Sequence, residues 1–246
     1  MKKWLTTLLI CLCGSSLVVA EMATIQNVDM LYASRHINGN IQKSLYQLET
    51  AIKNVTDSET NYQLLWRYAR SASQVPDYLE GKKSKKLRIL DQGQSYAKQA
   101  KALFPERIEA IYWQAICKGR HAELKGILKS LKSIKPIRKS MELILAKDPT
   151  FHRAYFVLSR VYRKAPKFIS IGNPKKSENY INKALELDST ESLYLLEKAR
   201  VLYKLKKKKE AKKVIQTLLG LNMNPKYFQD QVARDQRAAK ELLEKL

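Results

Sequence analysis

The side chains best equipped for chemistry in this sequence are guanidiniums. Arg67, Arg70, Arg120, Arg160, Arg163 and Arg200, with Lys204 close behind the last, recur through the middle of the chain. A guanidinium is a planar fork of donors that matches a carboxylate or a phosphate, so several of them stacked on one face would read an anionic feature of a partner. Nucleophiles and metal ligands are placed less favourably. His36, His121 and His152 are far apart, and the chain has no HExxH, CxxC, Gly-rich phosphate loop, GxSxG elbow or GxGxxG. Cys117 sits in Ala115-Ile116-Cys117-Lys118 inside a helical apolar pattern, which reads as a buried thiol rather than a nucleophile. No catalytic, cofactor-binding or metal-binding residue is expected, and the chain does not read as an enzyme.

An arginine stripe exists only if helices hold it in register. In Tyr180-Ile181-Asn182-Lys183-Ala184-Leu185-Glu186-Leu187 the apolar residues return at helical spacing, with Ile181, Ala184 and Leu187 on one face. Ala211, Ile215, Leu218 and Leu219 repeat the layout of Ser177, Ile181, Ala184 and Leu185 at a distance of 34 residues, the period of the tetratricopeptide repeat (TPR). Earlier copies end at Leu48–Ile52, Ala97–Pro105 and Met141–Pro149. Their small or apolar anchors at 51, 100, 144, 184 and 218 are spaced 49, 44, 40 and 34 apart. The excess residues have homes in the connections. Val75–Lys86 and Lys164–Pro174 read as polar, breaker-containing loops, while the insertion Ala122–Pro136 still reads as helix. Tyr227–Leu246 reads as a terminal capping helix, apolar inward and charged outward. The expected fold is all-α: a TPR-like helical-hairpin solenoid over residues 21–246, with lengthened intra-repeat loops and a C-terminal cap.

This register locates the stripe. First helices starting near Glu59, Ile108, His152 and Ser192 put Arg67, Ile116, Arg160 and Arg200 at position nine. Positions twelve and thirteen are then Arg70, Ser71, Gly119, Arg120, Arg163, Lys164, Tyr203 and Lys204. In TPR folds these positions line the concave groove, and a register error of one residue would turn each side chain by about 100°. The alternative is a solvated surface whose arginines pair with acids on neighbouring helices.

Composition narrows the partners. Lys and Arg number 46 against 23 acids in 246 residues, giving a net charge of +23, and 45% of residues are hydrophobic. That apolar share argues against general disorder, and three Cys cannot build a disulfide scaffold. Lys118–Lys139 and Lys204–Lys213 concentrate the charge, enough to touch a polyanion or acidic headgroups at an envelope surface. Neither run has interleaved aromatics or a nucleic-acid motif, so nucleic acid is not an expected partner. Residues 1–20 read as a secretory leader: Lys2 and Lys3, an apolar run from Trp4 to Cys13, then Val18-Val19-Ala20 before a cut. A periplasmic or secreted protein is expected. Lipidation at Cys13 is the less favoured alternative, because Leu12 replaces the small residue a lipoprotein signal needs there.

The order of segments also carries a resemblance. Leu64-Leu65-Trp66-Arg67-Tyr68-Ala69-Arg70, Ile111-Tyr112-Trp113-Gln114-Ala115 before Gly119-Arg120, and Ile134-Lys135-Pro136-Ile137 before Asp148-Pro149 form its first part. Leu158-Ser159-Arg160-Val161-Tyr162-Arg163-Lys164-Ala165-Pro166 and Gly172-Asn173-Pro174-Lys175-Lys176-Ser177 complete it. The series resembles exported bacterial TPR proteins of the kind found as the T-component of tripartite ATP-independent periplasmic (TRAP) transporters. More loosely, it is similar to eukaryotic regulators of microtubule dynamics. The resemblance implies a periplasmic scaffold that docks a protein, with a solute-binding protein the expected partner of a T-component. A small or lipidic ligand in the groove is the alternative.

Overall fold

The computed structural model describes residues 22–166, 170–222 and 229–246, and these are helices joined by short connections, with no strand among them. The expected leader and residues 227–228 of the expected cap lie outside the described residues. Chain contacts divide the protein into two compact units, one ending at Leu124 and the other starting at Lys125.

The first unit begins with a helix over residues 22–33 (α1), followed by α2 (Asn40–Asn54), α3 (Ser58–Ala72), the single turn α4 (Val75–Tyr78), α5 (Lys83–Leu103) and α6 (Ile108–Lys125). Asp57 starts α3: its carboxylate accepts the Thr60 N–H at 2.8 Å, satisfying one of the donors a helix N-terminus leaves open. Helices α3 and α5 pack as a hairpin. Tyr62, Leu65, Ala100 and Ala110 form a buried cluster with Trp66, Tyr96 and Phe104 against it. Gly93 of α5 lets the pair approach closely, since a Cβ there would stand 2.8 Å from the Ala72 Cβ and 3.0 Å from the Cys117 sulfur. The Cys117 thiol is buried and donates to the Ala69 carbonyl at 3.1 Å, and burial pushes its proton affinity up. It is the inert thiol its apolar setting implies.

The second unit contains α7 (Ile127–Lys147), α8 (His152–Lys164), α9 (Pro174–Leu187), α10 (Ser192–Lys204), α11 (Lys208–Leu219) and α12 (Gln229–Leu243). Gly126 precedes α7 at φ 96°, a left-handed conformation that a Cβ disfavours, and it separates α7 from α6. Asn173 and Pro174 start α9, with the Asn side chain accepting the Lys176 N–H and the Pro at the first turn. Helices α8 and α9 pack on each other, as do α10 and α11. Between the first pair, Ser159 and Ser177 exchange hydrogen bonds at 2.8–2.9 Å from hydroxyl to carbonyl in both directions. Leu195, Leu196, Ala199, Ile215 and Leu218 form the core of the second pair, and α12 closes it with Ala239 and Leu242.

The first helices of the hairpins start at Ser58, Ile108, His152 and Ser192, within one residue of the expected starts. The anchors Ala100, Ile144, Ala184 and Leu218 are fully buried. Other details differ from expectation: the anchor Ala51 is only half-buried, and Gly126 breaks the helix expected over Ala122–Pro136. The stretch 75–86 is not a plain loop, because Pro76 sits in the first turn of α4 and the lysines from Lys83 onward already belong to α5. Leu187, expected on the apolar face, is 45% exposed at the last position of α9.

Candidate functional site

In the first unit Arg67 and Arg70 lie one turn apart on α3 and converge on Asp29 of α1. Arg67 Nε donates to Asp29 at 3.0 Å and its Nη2 at 3.1 Å, and Arg70 Nη2 makes the second ion pair. The two guanidiniums also stack on aromatic faces. Arg67 lies 4.2 Å from the Trp66 ring centre and Arg70 4.2 Å from that of Tyr32, an arrangement suited to cation–π attraction. Burial works against the charged form of Asp29, but the hydrogen bonds and charges of Arg67 and Arg70 outweigh it and hold the carboxyl below its ordinary range. Burial also lowers the proton affinity of Arg70, with Asp29 opposing.

In the second unit the corresponding helices are α8 and α10. Arg163 makes a two-pronged pair with Glu197: Nε to Oε1 at 2.7 Å and Nη2 to Oε2 at 2.8 Å. The Glu197 side chain is 1% exposed, so this is a buried, geometrically matched pair. Arg200, one turn along α10, is pulled down in proton affinity by burial. Glu197 opposes that shift, while the like charges of Arg163 and Arg160 add to it. Arg160 lies over the Phe156 ring at 5.7 Å. Three guanidiniums from two adjacent first helices thus share one neighbourhood with the buried carboxylate of Glu197 and, beside Arg200, with Asp235 of α12.

The remaining expected residues stand elsewhere. Arg120 of α6 donates to the Ser73 carbonyl at 3.2 Å and pairs with Asp77 and Glu123. Lys204 reaches the Arg163 carbonyl at 2.6 Å. Within each unit, then, several of these arginines pair with acids of neighbouring helices, Arg67 and Arg70 with Asp29, Arg120 with Asp77 and Arg163 with Glu197, as the alternative reading expects. Asp29, Glu197 and Asp235 are the residues that sequence reasoning missed. Glu197 leaves a trace, as the one acid of a helix whose other buried residues are Ser192, Tyr194, Leu195, Leu196, Ala199, Val201 and Leu202.

A second polar seam joins α12 to the start of α10. Gln231 Nε2 donates to Glu191 at 2.6 Å and the Ser192 hydroxyl to Asp235 at 2.7 Å, all four buried. Burial pushes the Glu191 carboxyl up to about 7, with Asp235 and Asp188 adding repulsion and the Leu193 N–H and Arg153 opposing. An open cleft of about 560 Å³ between α1 and α2 is lined by Ala23, Asn27, Tyr46, Gln47 and Ala51. Among the described residues no group of three His, Cys, Asp or Glu could hold a metal ion, and no helix is long and apolar enough to cross a membrane.

Consecutive helical hairpins of this form are those of a TPR solenoid. The fold is shared with a thermophilic TPR protein of Thermus thermophilus, at a TM-score of 0.64 and 17% identity over 91% of this chain and 97% of that one. It is shared too with PilF of Pseudomonas aeruginosa (TM-score 0.54, 15% identity, 92% of this chain and 90% of that one) and with MamA of MSR-1 (0.50, 12%, 94% and 98%). At these identities the likeness is one of fold. Residues 24–164, more than half of the chain, match the family described as RMD1-3, regulator of microtubule dynamics protein 1-3, and the chain belongs to that family. No curated protein matches the sequence significantly.

Proposed function

We propose that the protein is a non-enzymatic TPR scaffold that captures a protein partner on its first-helix face, with Arg160 and Arg200 engaging an anionic feature of that partner. One observation carries the reading: Arg160, Arg163 and Arg200 crowd together closely enough to repel one another, around a Glu197 carboxylate whose two oxygens are both taken by Arg163. The concentration of positive charge at a half-buried, aromatic-lined surface is what a partner carboxylate or phosphate would neutralise. Arg67 and Arg70, paired with Asp29 and stacked on Trp66 and Tyr32, offer a smaller concentration of the same kind in the first unit. Arg120 and Lys204 serve mainly to tie helix ends together. The leader-like composition of residues 1–20 supports an exported location, where a solute-binding protein is the leading candidate partner.

The test is affinity capture from the native cell extract with the wild-type protein and with Arg160→Gln/Arg200→Gln, which leaves the Arg163–Glu197 pair intact. Proteins retained by the wild type and lost from the double variant are the expected result. An unchanged set of retained proteins removes the arginine face from consideration.

A further inference from the structure

The lysines of the second unit are not spread evenly over its surface. The α10–α11 connection lies against the end of α8 and the first turns of α9: Lys204 donates to the Arg163 carbonyl at the end of α8, and Lys207 pairs with Glu178 of α9 at 3.0 Å. At these neighbouring helix ends Lys175, Lys176, Lys204, Lys206, Lys207 and Lys209 are all exposed. The acids within reach are few. Glu178 is already held by Lys198 and Lys207, and Glu210 stands 3.8 Å from Lys207. Among the described residues, Lys175, Lys206 and Lys209 have no ion-pair partner.

Lys204 and Lys207 tie helix ends together, but the charge of Lys175, Lys206 and Lys209 does not serve the fold. Lysines in the first turns of α9 and α11 face the positive end of each helix dipole, which costs stability, and the first turn of α9 contains no acid to offset it. Lys206 also occupies a left-handed conformation, at φ 62°, that a side chain disfavours. Residues placed against local preference and left without partners point outward, to something that is not part of the chain.

The chemistry of the edge selects the partner. It contains ammonium groups on flexible stems, without the rigid forks that arginine would give to a discrete phosphate or carboxylate. Among the described residues it has no row of aromatics on which bases could stack. Tyr203, 40% exposed and next to Lys204, supplies one amphipathic ring of the kind that settles at headgroup depth. A line of mobile point charges with a single interfacial ring suits diffuse negative charge spread over a plane. We propose that this edge docks the second unit peripherally on an anionic phospholipid bilayer.

The experiment is sedimentation of the full chain with vesicles of phosphatidylcholine containing phosphatidylglycerol, against vesicles of phosphatidylcholine alone. It is run over a salt series, with wild type and Lys175→Gln/Lys206→Asn/Lys209→Gln. Asn tolerates the left-handed position, and all three sites are exposed, so the helical circular dichroism should be unchanged. Each lysine near an acidic bilayer contributes about fivefold in partition, so the triple variant should bind phosphatidylglycerol vesicles roughly a hundredfold more weakly. Wild-type binding should also fall steeply with salt. Equal binding to the neutral vesicles, or a triple variant that binds like wild type, overturns the proposal. So does retention on heparin or DNA with no vesicle binding, which would assign the edge to a polymer. Because Arg160 and Arg200 are unchanged in this variant, loss of vesicle binding and loss of the captured protein partner report separately.

Discussion

Replacing Arg163 with Met would leave the Glu197 carboxylate, 1% exposed, without its two-pronged partner. Removing one member of a buried pair costs about 3–5 kcal/mol, because the survivor stays desolvated. Arg200 remains within electrostatic reach of Glu197, which places the expected loss near the lower end of that range. For a protein of this size each kcal/mol moves the melting temperature by about 2–4 °C, so Arg163→Met should melt roughly 6–12 °C below wild type. The double variant Arg163→Met/Glu197→Leu removes the stranded charge along with its partner. Apolar replacement of a whole buried pair is often neutral, so its melting temperature should return most of the way. Calorimetry on wild type, both single variants and the double gives the full cycle. A single variant within about 2 °C of wild type would refute the reading of Glu197 as a buried charge held by Arg163, and so would a double variant no better than the single.

Stability should also depend on pH through the seam between α10 and α12. Burial raises the folded Glu191 carboxyl from 4.5 to about 7, and burial also raises Asp235. The folded state therefore favours the protonated form, and this contribution is complete below the unfolded value and lost as pH rises through about 7. Between these values each pH unit should cost up to about 1.4 kcal/mol, and Glu191→Gln should flatten the melting temperature across that window; an unaltered slope would remove Glu191 as its source. At the α3–α5 contact, Gly93→Ala places a Cβ against Ala72 and the Cys117 sulfur. The gain in helix propensity is about 1 kcal/mol or less, while overpacking costs about 1–3. Denaturant titration should show a net loss, and a stabilised variant would mean that the helices part easily there.

The fold was legible because its information is periodic. The spacing from Ala184 to Leu218, and the Pro that follows Ala100 and Ile144 at a fixed distance, mark where second helices end, and those anchors are fully buried. The thiol at Cys117 was legible for the same reason, as one more inward position on an apolar face. What the repeat pattern could not give was the pairing of charges between helices. Arg67 and Arg70 meet Asp29 across about forty residues, and Arg163 meets Glu197 across 34, one repeat period. Register places the arginines on a face without saying which acid of the neighbouring helix rises to meet them. Asp29 was missed because α1 lies ahead of the first anchor used to set the register. Asp235 was missed because a capping helix was expected to present charge to solvent, whereas its acid turns inward to the Ser192 hydroxyl. The lysine edge shows the converse. Its residues were evident as a charge run, but that the α10–α11 connection lies beside the end of α8 and the start of α9 follows only from the Lys204 and Lys207 contacts.

The most direct test of the scaffold reading is photocrosslinking in living cells, with a benzophenone side chain at position 160 on the first-helix face or at the exposed Lys183 on α9. A discrete crosslinked protein from position 160, with none from position 183, is the expected outcome. Equal crosslinking from both positions, or none from position 160, would contradict a partner-binding first-helix face.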